Sequence, residues 1–195
     1  MSIISKRIAK VVKCGAAFGL AVGLGAAYAQ GGYDGGPYNI GKLATEADIA
    51  RVNIDVMPDG RGLPPGSGDY ATGKQVYAAK CAACHGDRLQ GGKGTGGAAL
   101  IGGRGSLASG KPKKTVESYW PYASTLFDYV RRAMPFNAPG SLSSDEIYAV
   151  SAYILGEGKI IGKDEVMNAA SLARVKMPNR HGFVSDPRPD VFNYD

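Results

Sequence analysis

The stretch Cys81-Ala82-Ala83-Cys84-His85 constrains this chain more than any other. The spacing C-x-x-C-H is that of a c-type haem attachment site. One helical turn brings both sulfurs to the same side, where they can add across the two vinyl groups of a porphyrin edge. His85 is then placed to ligate the iron from one face. A structural zinc site would need four nitrogen or sulfur ligands, and beyond this cluster the chain after residue 29 offers only His181. A thioredoxin-like pair would need a surrounding βαβ pattern, which the sequence lacks. The residues therefore predict one covalent haem c on Cys81 and Cys84, with His85 on the metal.

The N-terminus reads as an export signal, residues 1–29. Lys6, Arg7, Lys10 and Lys13 precede an apolar, glycine-rich run, and Ala27-Tyr28-Ala29 is a small-x-small cleavage site. That run is too short and too rich in glycine to span a bilayer well, so no membrane span is expected after removal, and the expected location is the periplasm. Removal leaves 19 basic against 17 acidic residues, a net charge of +2. Two haem propionates would bring this to about neutral. The basic balance of the whole chain is thus no sign of nucleic-acid binding, and no basic stripe with interleaved aromatics is present.

The organisation expected downstream is an N-terminal arm (30–68), a haem domain (69–156) and a C-terminal extension (157–195). In the arm, Thr45 caps a short helix over TEADIA, and residues 52–56 alternate like a strand. Ile40, Leu43, Ile49, Ile54, Val56 and Leu63 are too many apolar residues for a disordered linker, so the arm is expected to be ordered and packed. A helix is expected over 70–80, with Gly73, Tyr77 and Cys81 on one face. Gly73 there implies close approach by another helix. A glycine-rich loop over 86–110 follows, anchored by Leu100, Ile101 and Leu107. Next come Tyr119-Trp120-Pro121-Tyr122 and a helix over 125–133 with Leu126, Tyr129 and Val130 inward. Met134-Pro135 stops that helix. Ser143 and Glu146 form a capping box, with Leu142 and Ile147 as a staple, for a last long helix ending near Gly156. Another short helix is possible over 164–173.

A second iron ligand must come from elsewhere, or the site stays open. Met57, Met134 and Met177 all precede proline, so that dipeptide alone decides nothing. Met134 is the best candidate because it sits between two helices, and a thioether raises the potential relative to two histidines. His181 is the alternative. Trp120, Tyr122 and Arg131 or Arg132 are candidates for contacting the propionates, against plain packing for the aromatics and a solvated helix end for the arginines. Lys111, Lys113 and Lys114 form a basic loop that would steer an acidic partner.

This layout resembles the class I c-type cytochromes over residues 69–155: a helix with Gly73 and Tyr77, CAACHG, a glycine-rich loop, Met134-Pro135, and a closing helix with Tyr153. The resemblance implies an all-α, monohaem fold in which the first and last helices cross and the haem lies in the cleft. It implies electron transfer rather than enzyme catalysis. One departure stands out. The family commonly has Pro-x-Leu in the loop, whose proline carbonyl accepts the proximal histidine's N–H; here Ala98 takes that place, without the ring's fixed orientation. The strings IDVMPDGRGLPPGSG (54–68), SYWPYASTLFDYVRRAMPF (118–136) and MPNRHGF (177–183) are similar, more narrowly, to the cytochrome partners of bacterial sulfite or sulfane dehydrogenases. That implies a molybdenum dehydrogenase as donor and a downstream cytochrome or terminal oxidase as acceptor. The rival classes are a freely diffusing carrier, the cytochrome subunit of another periplasmic dehydrogenase, and a haem enzyme with an open sixth site.

Overall fold

The computed structural model describes Tyr38 and residues 40–186; the expected signal, the start of the arm and the last nine residues lie outside the described residues. The chain divides into two compact units, Met1–Ala47 and Asp48–Asp195. In the first, the described residues 40–47 are solvent-exposed and include the start of α1 (Glu46–Val52), a helix with no buried residue.

The second unit is helical, with one two-residue antiparallel pairing between β1 (Ser67–Gly68) and β2 (Met167–Asn168), Ser67 opposite Asn168 and Gly68 opposite Met167. The helix expected over 70–80 is α2 (Tyr70–Lys80), capped by Asp69, whose carboxylate accepts from Thr72 N at 2.7 Å. A single turn, α3 (Ala82–His85), follows. After the glycine-rich loop come α4 (Ala123–Ala133) and α5 (Ser144–Glu157). The capping box of α5 is formed as expected, with Ser143 Oγ accepting from Glu146 N and Glu146 Oε2 accepting from Ser143 N. The helix continues one residue past Gly156 before Gly158 caps it. Last comes α6 (Ala169–Arg174), shorter than the stretch expected there because Asn168 caps it from the end of β2.

The core sits between α2, α4 and α5. Helix α5 is buried on all sides from Ile147 to Gly156, so its sequence has little amphipathic contrast. The pair α2–α5 crosses at Gly73, where any Cβ would overlap the carbonyl group of Ala149. This is the close approach that the glycine implied. In α4 the inward face is Leu126, Phe127 and Val130; Tyr129, expected inward, is 47% exposed. Phe127 takes the buried position and packs on Tyr148, ring centroids 4.6 Å apart, a burial worth about 1.5–3 kcal/mol.

Residues 52–56, expected to alternate as a strand, form none: Val52 ends α1 and 53–56 are irregular. Their backbone groups go to side chains of α4 instead: Val56 N donates to Asp128 Oδ1 (3.1 Å), and Ile54 O accepts from Arg131 (3.2 Å). Of the apolar arm residues, Ile54, Val56 and Leu63 are half-buried, whereas Ile40, Leu43 and Ile49 are exposed. Beyond α5 the chain returns to the core through Met167, Leu172, Val175 and Met177. Residues 179–183 pack on the segment before α4: Asn179 Nδ2 donates to Tyr119 O at 2.7 Å, Phe183 meets the Tyr119 ring edge-on, and Arg180 lies over Tyr122.

Candidate haem site

Helix α2 delivers Cys81, which caps it by donating its N–H to Tyr77 O, and α3 then turns Cys84 and His85 back over Cys81. Cys84 N and His85 N both donate to Cys81 O, at 3.1 and 2.9 Å. Cys81 is half-buried and Cys84 exposed, and neither forms a disulfide. Burial pushes the Cys81 thiol up to about 11. Tyr77 braces the turn from below, its hydroxyl donating to Gly86 O at 2.7 Å.

The loop after His85 folds back on the motif. Thr95 Oγ1 donates to Cys84 O at 2.8 Å, and Gly97 lies so close to the same carbonyl that a side chain would overlap it. The next residue, Ala98, presents its carbonyl oxygen 2.7 Å from His85 Nδ1. A carbonyl can only accept, so Nδ1 carries the proton and Nε2 is left as the metal-binding nitrogen. The missing proline is thus replaced by loop packing: Leu100 N pairs with Leu89 O, and Leu89 is fully buried in a left-handed conformation, φ 57°. Neither Leu89 nor Thr95 carried a sequence signal, since both depend on where the loop closes.

The other candidates fall as follows. Met134 ends α4, its N–H donating to Val130 O, and its half-buried side chain packs on the core. Met177 is core, 3% exposed, and Met57 is 43% exposed. His181 is exposed. Trp120 is half-buried against the edge of Tyr129, centroids 5.6 Å apart. Tyr122 is the N-cap residue of α4. Arg131 donates to Ile54 O, and Arg132 bridges Asp128 and Asp55, so both arginines are engaged with the arm rather than simply solvated. Lys111, Lys113 and Lys114 are exposed.

These residues fit a haem. A histidine held in the right tautomer follows two thiols one turn apart. Leu100, Ile101, Trp120 and Met134 are apolar, pack on the core and remain only partly covered by protein, as residues against a flat apolar macrocycle would be. Among the described residues no group of three or more His, Cys, Asp or Glu is arranged to hold a metal ion.

Residues 68–154 match the family described as cytochrome c oxidase, cbb3-type, subunit III. A chain in the crystal structure of the sulfane dehydrogenase SoxCD from Paracoccus pantotrophus superposes with a TM-score of 0.71 at 42% identity, covering 77% of this chain and 73% of that one. The thiosulfate dehydrogenase of Stutzerimonas stutzeri is 36% identical over 93 residues, which are 47% of this chain and only 28% of the relative. The chain thus spans less than a third of that enzyme.

The fold, the site and these likenesses define a class: the chain belongs to the class I c-type cytochromes, is all-α in fold and carries covalently bound haem c. Within that class it is related to the chain of SoxCD. Among the described residues no helix is long and apolar enough to cross a membrane.

Proposed function

We propose that this chain is the periplasmic electron-transferring subunit of a sulfur-oxidising, molybdenum-containing dehydrogenase, and that it passes electrons to a downstream cytochrome or terminal oxidase. Cys81 and Cys84 carry the haem, and His85 and Met134 hold the iron. Trp120, Tyr122 and Arg131 are proposed as contacts of the propionates, Arg131 in addition to its bond to Ile54 O. The arm from residue 30, the haem domain 69–156 and the extension 157–195 act as one electron-transfer module after loss of residues 1–29.

The observation that carries this reading is the reach of the likeness to SoxCD. It covers 77% of this chain, whereas the cytochrome family match stops at residues 68–154. A freely diffusing carrier needs little beyond the haem domain. Here the C-terminal segment adds Met167, Leu172, Val175 and Met177 to the core, and residues 54–56 are tied to α4.

A haem held by Cys81, Cys84, His85 and Met134 would supply one-electron transfer between ferric and ferrous iron. The protein's part is to hold its surroundings constant. The Ala98 carbonyl fixes the orientation of His85 and, by holding the Nδ1 proton, raises the basicity of Nε2.

The test is stopped-flow reduction of the holoprotein mixed with the molybdenum dehydrogenase of the same periplasm, started with sulfite or a sulfane-sulfur substrate. Rapid haem reduction that requires the dehydrogenase is the expected result. Reduction only by an unrelated dehydrogenase would discard the sulfur assignment and leave the cytochrome. Ready binding of small ligands to the iron, with turnover of peroxide, would favour a haem enzyme.

A further inference from the structure

The expected ligand Met134 is held on one side only. Its N–H bonds back to Val130 O, so its backbone rides on the last turn of α4. Downstream, residues 136–141 are exposed, Phe136 is 84% exposed, and the backbone hydrogen bonds of this segment are local, Ala138 N to Pro135 O and Ser141 N to Ala138 O. The position of Met134 is therefore set by what holds the last turn of α4.

The inner side of the C-terminal half of α4 is fixed by Leu126, Phe127 and Val130 in the core. The outer side is fixed by residues 54–56, more than seventy positions earlier in the chain. Asp128 is the hub. Its Oδ1 accepts from Val56 N, and its two oxygens take Arg132 Nε at 2.9 and 3.0 Å. Arg132 Nη2 continues to Asp55 Oδ1 at 2.5 Å, and Arg131 Nη1 donates to Ile54 O. Three consecutive arm residues are thus gripped by three side chains on the last two turns of α4, which lead into Met134.

We propose that Asp128, Arg131 and Arg132 are positioning residues for Met134, keeping its sulfur on the iron by clasping α4 to residues 54–56. This rests on the reading of Met134 as ligand. When the clasp is cut, the segment carrying Met134 opens more often, and an exogenous ligand that binds only the open form gains apparent affinity in proportion to the open population.

The test uses ferric holoprotein and two readouts: the weak far-red absorption band of a thioether bound to ferric haem, and the dissociation constant for imidazole, which competes for that position. The wild type should show the band. Asp128→Ala should weaken it and tighten imidazole binding about fivefold, the scale of a few partly exposed charge-assisted bonds. Asp128→Asn, which keeps an acceptor for Val56 N, should restore part of both. Asp55→Ala removes only the outermost link, at an aspartate whose side chain is 72% exposed; it should move both readouts the same way by less, and it serves if Asp128→Ala does not fold. Folded variants with wild-type band and imidazole affinity would overturn the clasp while leaving the ligand assignment intact. A wild type without the band would overturn the ligand assignment itself, and the clasp with it.

Discussion

His85 Nδ1 lies 2.7 Å from the carbonyl oxygen of Ala98. This bond aims the imidazole, and it is made without the proline expected at that place. A carbonyl on a mobile glycine-rich loop would be a poor aiming device. Here the loop is pinned at several points: Gly92 N to Gly97 O, Thr95 Oγ1 to Cys84 O, and Leu100 N to Leu89 O. Ala98 lies between these pins, so its carbonyl inherits their rigidity.

Gly97 is the most sensitive of the pins. A Cβ there would overlap the Cys84 carbonyl. Gly97→Ala is expected to destabilise the holoprotein by about 1–3 kcal/mol through overpacking, and to lower the precision with which Ala98 meets His85. Gly110 has nothing within 4 Å of its would-be Cβ, so Gly110→Ala should stay within about 0.5 kcal/mol of wild type. Guanidinium unfolding of both variants, followed by haem absorbance, checks the contrast.

The same logic applies at the helix crossing. Gly73 faces the Ala149 carbonyl and Tyr153 Cβ, and both belong to the fully packed α5. Neither neighbour is a flexible side-chain tip that can swing away. Gly73→Ala gains helix propensity of at most about 1 kcal/mol, yet should lose about 3 kcal/mol overall because α2 and α5 must separate. Calorimetric melting of the holoprotein should show the fall; an unchanged melting temperature would mean that the crossing can widen freely.

Much of this was legible in the sequence where local chemistry and tertiary demand agree. Ser143 caps α5 because its side chain satisfies the N–H three residues on, and such a signal needs no knowledge of the fold; the same chemistry at Asp69 was there to be read and was not. Gly73 in a helix announced a crossing for the same reason: nothing local favours it. Residues 53–56 misled because alternation reports burial on one side, not what pairs with the backbone; the partners are Asp128 and Arg131, more than seventy residues away. Tyr129 misled because an aromatic in a short helix fits either face, and Phe127 took the core. The return of Met167, Leu172, Val175 and Met177 to the core had no periodic signature, since they approach through a two-residue strand, one short helix and irregular chain.

The cluster of Tyr70, Glu157 and Lys163 gives the stability an acid limb. Lys163 Nζ donates to Glu157 Oε1 at 2.6 Å, and the Tyr70 hydroxyl donates to the same oxygen. The Lys163 bond first, and then that of Tyr70, hold the Glu157 carboxyl below its ordinary value of 4.5. A carboxyl depressed on folding stabilises the fold above its unfolded pKa and loses that contribution as pH falls through the folded one. Lys163 is 58% exposed, so the contribution is below about 1 kcal/mol. Wild type should exceed Glu157→Gln in stability near neutral pH, and the two should converge as pH falls below about 4.5. Urea unfolding across that range checks the sign; a difference constant with pH would mean the glutamate acts by packing alone.

The three methionines before proline separate cleanly by environment, and substitution should separate their roles. Met177 is 3% exposed within the core, so Met177→Ala should cost about 2–5 kcal/mol and leave the iron's ligands unchanged. Met57 is 43% exposed, so Met57→Ala should change neither stability by more than about 0.5 kcal/mol nor the haem spectrum. Met134 packs only partly against the core, which predicts a smaller stability loss than at Met177 but a large change at the iron. Met134→Ala should open the sixth position to imidazole. Met134→His should lower the reduction potential within the roughly 0.8 V range that axial ligands span, because a second imidazole favours ferric iron where a thioether favours ferrous. Potentiometric titration of the variants at all three positions decides the matter. A potential that moves with Met177 or Met57 and stays fixed with Met134 would transfer the ligand role to that residue.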